Sequence, residues 1–481
     1  MSRVSRGLFW SAVDQFSVQG VQFVLSILIA RLVSPEAYGV VVLVQVFMAF
    51  AQVFIDGGLK SALIQKKDRT DTDFYTAFLF NFALSVFLYI VLYFAAPFIS
   101  DFYNQPQLIS LTRVVSLNLI FSSLSITQLV RIQVALDFKI QAKARLISVI
   151  LSGFVGIICA YNGMEAWALV IQSVFSTFLT TIFLMFFSRW LPKFIFSIKS
   201  FKNLFGYGSK LLFNNLLTTF YLQITNLVIG KFYLPAQLAY YNRAFSISQL
   251  PSTSLMESIG RTIYPIYCEL QDNRDELIRA YRKYLRLSTL AIFPIMALLC
   301  SLSYPLISVL LTDKWLPAAP LLSLFCIGFS NYIFQYNASN ILTATGFAWK
   351  LVKINIVLKI IDFTLLIIAL TISVQAVAIV FVINNFIYTT VLLLTVKRSL
   401  HIDLMEQIGF VKDLVLDSIF FGLVAWGITF LFKNSFVQLI LGGTIGLVLL
   451  LLLFNIQKID ELSYIRDFIN KVKTILWKEK R

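Results

Sequence analysis

At 481 residues, 58% hydrophobic and only 13% charged, with a mean hydropathy of +0.81, the chain is too apolar to be soluble. Its net charge of +16 is spread over short segments between apolar runs, so there is no soluble basic domain to carry a nucleic-acid footprint. The four cysteines, Cys159, Cys268, Cys300 and Cys326, and the single histidine, His401, are too scattered for a disulfide framework or a zinc site.

About 14 apolar runs follow one another, most near the length that crosses a bilayer. They lie near 9–32, 38–58, 74–99, 108–132, 146–162, 165–188, 207–231, 238–263, 286–311, 318–343, 351–372, 376–396, 413–432 and 436–456. The first is not a cleavable signal. It follows Arg3 and Arg6, but it is too long, contains Asp14 and lacks a small-x-small cleavage site. Of the 40 Lys and Arg, 33 fall in alternate segments that a cytoplasmic N-terminus places inside. Only Arg31, Lys231, Lys314 and Lys433 fall in outward loops, and Arg113, Arg243 and Lys359 fall within spans. This asymmetry predicts an even number of spans with both termini cytoplasmic. Outward loops as short as Tyr161 to Met164 leave no room for an extracytoplasmic domain.

The predicted order is an N-terminal six-helix lobe (1–188), an amphipathic cytoplasmic linker (189–206) and a C-terminal six-helix lobe (207–397). Two extra transmembrane helices (398–456) and a basic cytoplasmic tail (457–481) follow. The linker, RWLPKFIFSIKSFKNLFG, mixes large apolar residues with lysines as an interfacial helix does. Residues 266–285 predict a solvated helical extension, and the tail predicts contact with an anionic leaflet. The fold class is an all-α polytopic membrane protein, two lobes around a central cavity, related as parallel repeats.

Polar residues inside the spans are the candidates for function, because amides and charges are costly against lipid tails. In span 1, Gln15, Gln19, Gln22 and Ser26 share one helix face. Asn215, Thr219 and Asn226 repeat that face in span 7 at a constant offset from 15, 19 and 26. Span 2 carries Gln45 and Gln52, one heptad apart. Span 8 is the least lipid-like: Asn242, Arg243, Ser246, Gln249, Thr253 and Glu257 follow a helical rhythm, interrupted by Pro251. Arg243 and Glu257 read as cavity lining. Asp14, Arg113 and the Lys359–Asp362 pair read first as snorkelling groups or local ion pairs. Spans 4 and 10 hold Ser122, Ser123, Ser125, Gln128 and Asn331, Gln335, Asn337, Asn340, which suit helix-to-helix bonding and substrate contact equally.

No phosphate-binding GxxxxGK[ST], HExxH or GxSxG occurs, so no catalytic residue, metal site or cofactor is assigned, and the chain is not expected to be an enzyme.

Several stretches carry a family resemblance. ARLVSPEAYG (Ala30 to Gly39), DGGLKSALIQKKDRTDTDF (Asp56 to Phe74) and LDFKIQAKA (Leu136 to Ala144) come first. AYNGMEAWALV (Ala160 to Val170), FGYGSKLL (Phe205 to Leu212), VIGKFYLPAQLAYYNRA (Val228 to Ala244) and DKWLPAAPLL (Asp313 to Leu322) follow in order. Together they resemble bacterial polysaccharide-transport flippases of the O-antigen and lipopolysaccharide (Wzx) type. These belong to the multidrug/oligosaccharidyl-lipid/polysaccharide exporter superfamily. The last 80 residues match only in hydropathy. Three positions depart from the pattern: Glu165 and Ala239 replace glycines, and Phe347 stands where arginine is frequent; Lys353 and Lys359 fall where that segment carries lysines.

The resemblance implies two lobes about a V-shaped cavity in the bacterial inner membrane. It implies flipping of an undecaprenyl-diphosphate-linked oligosaccharide from the cytoplasmic to the periplasmic leaflet, for lipopolysaccharide, capsule or exopolysaccharide synthesis. Expected partners are that lipid-linked oligosaccharide, membrane lipids, H+ or Na+ as coupling ion, and a glycan polymerase or other assembly protein. The expected cavity residues are Gln15, Gln19, Gln22, Gln45, Asn215, Thr219, Asn226, Asn242, Arg243, Ser246, Gln249 and Glu257. Lys210, Arg243 and Lys359 are the cations expected to attract the diphosphate. The alternatives are an ion-coupled multidrug or toxin extrusion antiporter of the same superfamily, and a non-transport scaffold for glycan-synthesis enzymes.

Overall fold

The computed structural model describes residues 3–456, apart from 57, 189 and 191. All regular structure among them is helical. The predicted basic tail, 457–481, lies outside the described residues. The chain divides into two compact units between Ala239 and Tyr240.

The first unit holds α1 (Arg3–Leu32), α2 (Pro35–Asp56), α3 (Leu59–Gln65), α4 (Asp71–Tyr103), α5 (Gln107–Val115), α6 (Leu117–Ala135), α7 (Phe138–Tyr161), α8 (Ala166–Ser188) and α9 (Ile198–Phe232). At its end begins α10 (Pro235–Glu269), most of which belongs to the second unit. There follow α11 (Arg274–Ser301), α12 (Ser303–Leu311), α13 (Ala318–Ser330), α14 (Tyr332–Ala344), α15 (Ala348–Leu370), α16 (Val374–Leu400), α17 (Leu404–Gly409), α18 (Lys412–Thr429) and α19 (Ser435–Ile456).

Among the described residues, 10 helical segments are long and apolar enough to cross a membrane. The remaining predicted spans correspond to α9, α10, α15 and α18, which are long helices but too polar to meet the same standard. The reason is visible in their residues. Amides and hydroxyls stud α9 and α10, while Lys353, Lys359 and Asp362 interrupt α15 and Lys412, Asp413 and Asp417 interrupt α18.

Predicted span 9 comprises α11 and α12, parted at Leu302, and two further predicted spans are each two helices. Span 4 breaks at Ser116 between α5 and α6, and span 10 breaks at Asn331 between α13 and α14. The side chain of each break residue turns back onto its own helix: Ser116 Oγ donates to the Arg113 carbonyl at 3.0 Å, and Asn331 Nδ2 to the Ile327 carbonyl at 3.2 Å.

The predicted linker does not form a separate helix. Pro192 opens an irregular stretch to Ser197. Ser197 Oγ then caps the next helix from the Ser200 N–H at 3.3 Å, and α9 runs unbroken from Ile198 through the predicted seventh span. The interruption expected at Pro251 is also absent, because α10 continues through both Pro251 and Pro265. In 266–285, Tyr267 and Tyr281 are fully buried, so this segment is packed rather than solvated on that face. The core of the second unit includes an edge-to-face cluster of Tyr241, Phe245, Phe325 and Phe381, with ring centroids 5.0 to 5.6 Å apart.

In the first unit, motif residues meet across helices. Gly58, at φ +62°, lies against Gly208 of α9, where a Cβ would sit 2.0 Å from the Gly208 carbonyl oxygen. Thus DGGLKSAL and FGYGSKLL each contribute a glycine to one close backbone crossing. Glu165 explains its own departure from glycine. It adopts φ 46°, a conformation that strains a side-chain-bearing residue by roughly 1–2 kcal/mol. Its Oε2 accepts from the backbone N–H of Ser34 at 2.9 Å and from Ser34 Oγ at 2.8 Å, tying the α7–α8 turn to the start of α2.

Gly58→Ala adds backbone strain and a clash with immobile backbone, so it should destabilise the folded protein by about 2 kcal/mol or more. Thermal unfolding of the purified protein in detergent checks this; an unchanged midpoint would mean that the crossing is not tight.

Candidate functional site

The amide stripe of α1 opens onto a polar pocket of about 330 Å³ within the first unit, lined by Asp14, Gln15, Val18, Gln19, Gln22 and Arg145. The helical period brings the three glutamines to one face. Packing of α1 against α7 then closes the pocket on one side. The contact is apolar along Val18, Leu25 and Val149 and polar at Asp14.

Asp14 is 5% exposed, and α7 supplies what a buried carboxylate requires. Gln141 Nε2 donates to Asp14 Oδ2 at 2.7 Å, and Arg145 Nη1 donates to the same oxygen at 3.1 Å. Gln141 and Arg145 are four residues apart, so one face of α7 carries both. Asp14 Oδ1 and Gln141 Oε1 are buried and accept no hydrogen bond from a described residue. The pocket therefore combines amides that donate and accept with an arginine whose side chain is 41% exposed. Such a set matches a ligand rich in hydroxyl groups.

The other predicted site residues do not line this pocket. In the first unit Gln45 on α2 and Asn215 and Lys210 on α9 are exposed, and Thr219 is half-buried. Asn226 donates to Gln223 Oε1 on its own helix at 3.0 Å. In the second unit α10 carries half-buried Asn242 and Gln249, buried Arg243 and exposed Ser246 and Glu257, while Lys359 is exposed on α15. Asp362 accepts a hydrogen bond from Asn384 Nδ2 on α16.

The ion-pair reading of Asp14 agrees with its partner Arg145. Arg113 lies over the Tyr93 ring, 4.1 Å from its centroid. Hydroxyls and amides of spans 4 and 10 bond between helices: Ser85 with Ser123 at 2.9 Å, Ser122 to Gln52 Oε1 at 3.3 Å, and Gln335 Nε2 to Asn385 Oδ1 at 3.0 Å. Sequence reading alone did not single out Gln141 and Arg145 as site residues; their four-residue spacing was the only available signal.

Fold and pocket together define a polytopic helical membrane protein that holds a polar pocket between two of its helices. A family model described as a polysaccharide biosynthesis protein matches residues 28–320, and the chain belongs to that family. The teichuronic acid biosynthesis protein TuaB of Bacillus subtilis (strain 168) is 25% identical over 72% of each chain. The succinoglycan biosynthesis transport protein ExoT of Rhizobium meliloti (strain 1021) is 23% identical over 67% of this chain and 66% of that protein. For the lipopolysaccharide biosynthesis protein WzxC of Escherichia coli (strain K12) the figures are 22%, 67% and 66%. Among solved structures, the lipid II flippase MurJ in an inward closed conformation superposes with a TM-score of 0.72 at 18% identity, over 96% of this chain and all of that one. An inward-facing MATE-family multidrug resistance transporter gives 0.58 at 16% identity, over 79% and 94%. These likenesses establish the fold, and the MurJ match extends it beyond the region where sequence motifs are recognisable.

Arg145→Ala removes one of two donors from a buried carboxylate. Because Arg145 is partly exposed, the loss should be on the order of 1–3 kcal/mol rather than that of a fully buried pair. Asp14→Asn with Arg145→Ala should recover part of it, because no uncompensated charge remains. A double-mutant cycle of unfolding midpoints reads this; strict additivity would exclude the coupling.

Proposed function

We propose that the protein is a flippase that moves an undecaprenyl-diphosphate-linked oligosaccharide from the cytoplasmic to the periplasmic leaflet of the bacterial inner membrane. The observation that carries this reading is the α1 pocket, in which three glutamines and an arginine converge between α1 and α7. Family membership, relatives named for polysaccharide biosynthesis and transport, and a fold shared with a lipid II flippase support it. No catalytic step is assigned, because translocation needs only a polar environment for the glycan while the lipid tail stays in the membrane.

In this reading the amides of Gln15, Gln19 and Gln22 exchange hydrogen bonds with sugar hydroxyls and replace the water lost on entering the bundle. Arg145 stands at the edge of the same pocket as a cation for an anionic group. Lys210, Arg243 and Lys359 are further cations proposed to meet the diphosphate, and the remaining polar residues of α9 and α10 are proposed to continue the glycan path. The charge asymmetry of the loops supports cytoplasmic termini. Coupling to H+ or Na+ and association with a glycan polymerase belong to the proposal as well.

The test is transport of a fluorescent lipid-linked oligosaccharide in proteoliposomes, read by quenching from the outer leaflet. Wild-type protein should accelerate flipping above empty vesicles. Gln15→Ala/Gln19→Ala/Gln22→Ala should lower the rate at least tenfold, since each lost hydrogen bond contributes about 1 kcal/mol. An unchanged rate in the triple variant would remove the pocket from the transport path. No flipping by the wild type, with efflux of cationic dyes instead, would favour the antiporter.

A further inference from the structure

The second unit contains another cavity, remote in sequence from the amide stripe, with basic side chains on a mainly apolar lining. It lies between the antiparallel neighbours α15 and α16 and measures about 490 Å³. Lys350 and Lys353 line it from the first two turns of α15, and Arg398 lines it from the last turn of α16. Ile354, next to Lys353, and Leu394 and Val391, one and two turns before Arg398, line it with apolar side chains. Cations therefore occupy the helix-end side, and apolar side chains occupy the side toward the middle of the spans.

Three observations separate this arrangement from an ordinary flank of topogenic charges. First, the cations converge on one partly open groove between the two helices, and no carboxylate lines it. The neighbouring Lys397 is neutralised locally by Asp403, at 2.5 Å, and does not line the cavity. Second, the cavity is braced: Lys350 Nζ donates to Ser399 Oγ at 3.2 Å, joining α15 to α16, and lies 4.3 Å from the Phe347 ring centroid. Third, Trp349 is 68% exposed beside it, with Lys353 Nζ 5.9 Å from its ring centroid. An exposed tryptophan at a span end is the side chain that settles at headgroup depth. The N-terminus of α15 adds its own partial positive charge.

We propose that this cavity binds the phosphate of an anionic membrane lipid, held by Lys350, Lys353 and Arg398, with the first part of the lipid's apolar chain against Ile354, Val391 and Leu394. The site does not depend on the transport reading. Two lipids share the chemistry: an anionic glycerophospholipid of the surrounding membrane and a polyprenyl diphosphate. A cation cluster with an apolar continuation suits either, whereas a zwitterionic headgroup offers no net charge to hold.

The test is lipid retention by the purified full chain in detergent, read by native mass spectrometry. Phosphatidylglycerol, undecaprenyl diphosphate and phosphatidylcholine are added in separate arms. The expected result is one tightly held anionic lipid, with phosphatidylcholine not retained; the tighter of the two anionic lipids identifies the natural occupant. Lys353→Met/Arg398→Met should weaken that binding about thirtyfold, from two lost cations. Lys353→Arg/Arg398→Lys should keep it within a few-fold. If the double Met variant unfolds, each single Met variant should still show about a fivefold loss. Equal retention of phosphatidylcholine, or undiminished anionic binding in folded Met variants, would overturn the assignment.

Discussion

A polar group placed among lipid-facing helices must find its partners within the protein, because the hydrocarbon offers none. Asp14 meets that constraint through α7, and the consequence reaches well beyond one ion pair. To hold the carboxylate, Gln141 and Arg145 must face α1, which sets the rotation of both helices about their axes. With that rotation set, the amides one and two turns further along α1 face the same pocket instead of the lipid. A buried charge of this kind is weak as a source of net stability but strong as a device that specifies one packing over others.

The same constraint explains how the long helices differ. Where hydroxyls and amides pair between neighbours, as Ser85 with Ser123 or Gln335 with Asn385 and Thr389, they join helices that have no hydrophobic reason to prefer one partner to another. Where amides and charges are too dense, the helix falls below the apolar standard for a span, as α9, α10, α15 and α18 do. Close backbone contact supplies the rest of the specificity, and the Gly58–Gly208 crossing shows why two separate motifs each retain a glycine.

Much of this was legible in the sequence because it rests on periodicity. The helical class, the run of spans and the glutamine face of α1 all follow from spacing, and the motif series leads to the family that the comparisons show. Tertiary choices were not legible in this way. Nothing local to Asp14 says that α7 will be its neighbour, so the Gln141–Arg145 pair stayed unassigned. The breaks at Ser116 and Asn331 carry no proline or glycine signal. The lysines and phenylalanines of the linker have an amphipathic pattern that predicts a separate helix. Pro192 and the Ser197 cap decide otherwise, and Phe201 and Phe205 on the first turns of α9 pack against Phe80 of α4. Pro251 misled in the opposite direction: its lost donor is tolerated inside α10 without ending the helix.

The central claim is that the α1 pocket receives the glycan. A photo-reactive phenylalanine analogue introduced at Gln19 tests it most directly, with the same analogue at Phe98, an exposed residue of α4, as the control. Irradiation in vesicles loaded with a radiolabelled lipid-linked oligosaccharide should attach label at position 19 and much less at position 98. Equal labelling at the two positions, or labelling at 98 alone, would contradict the account.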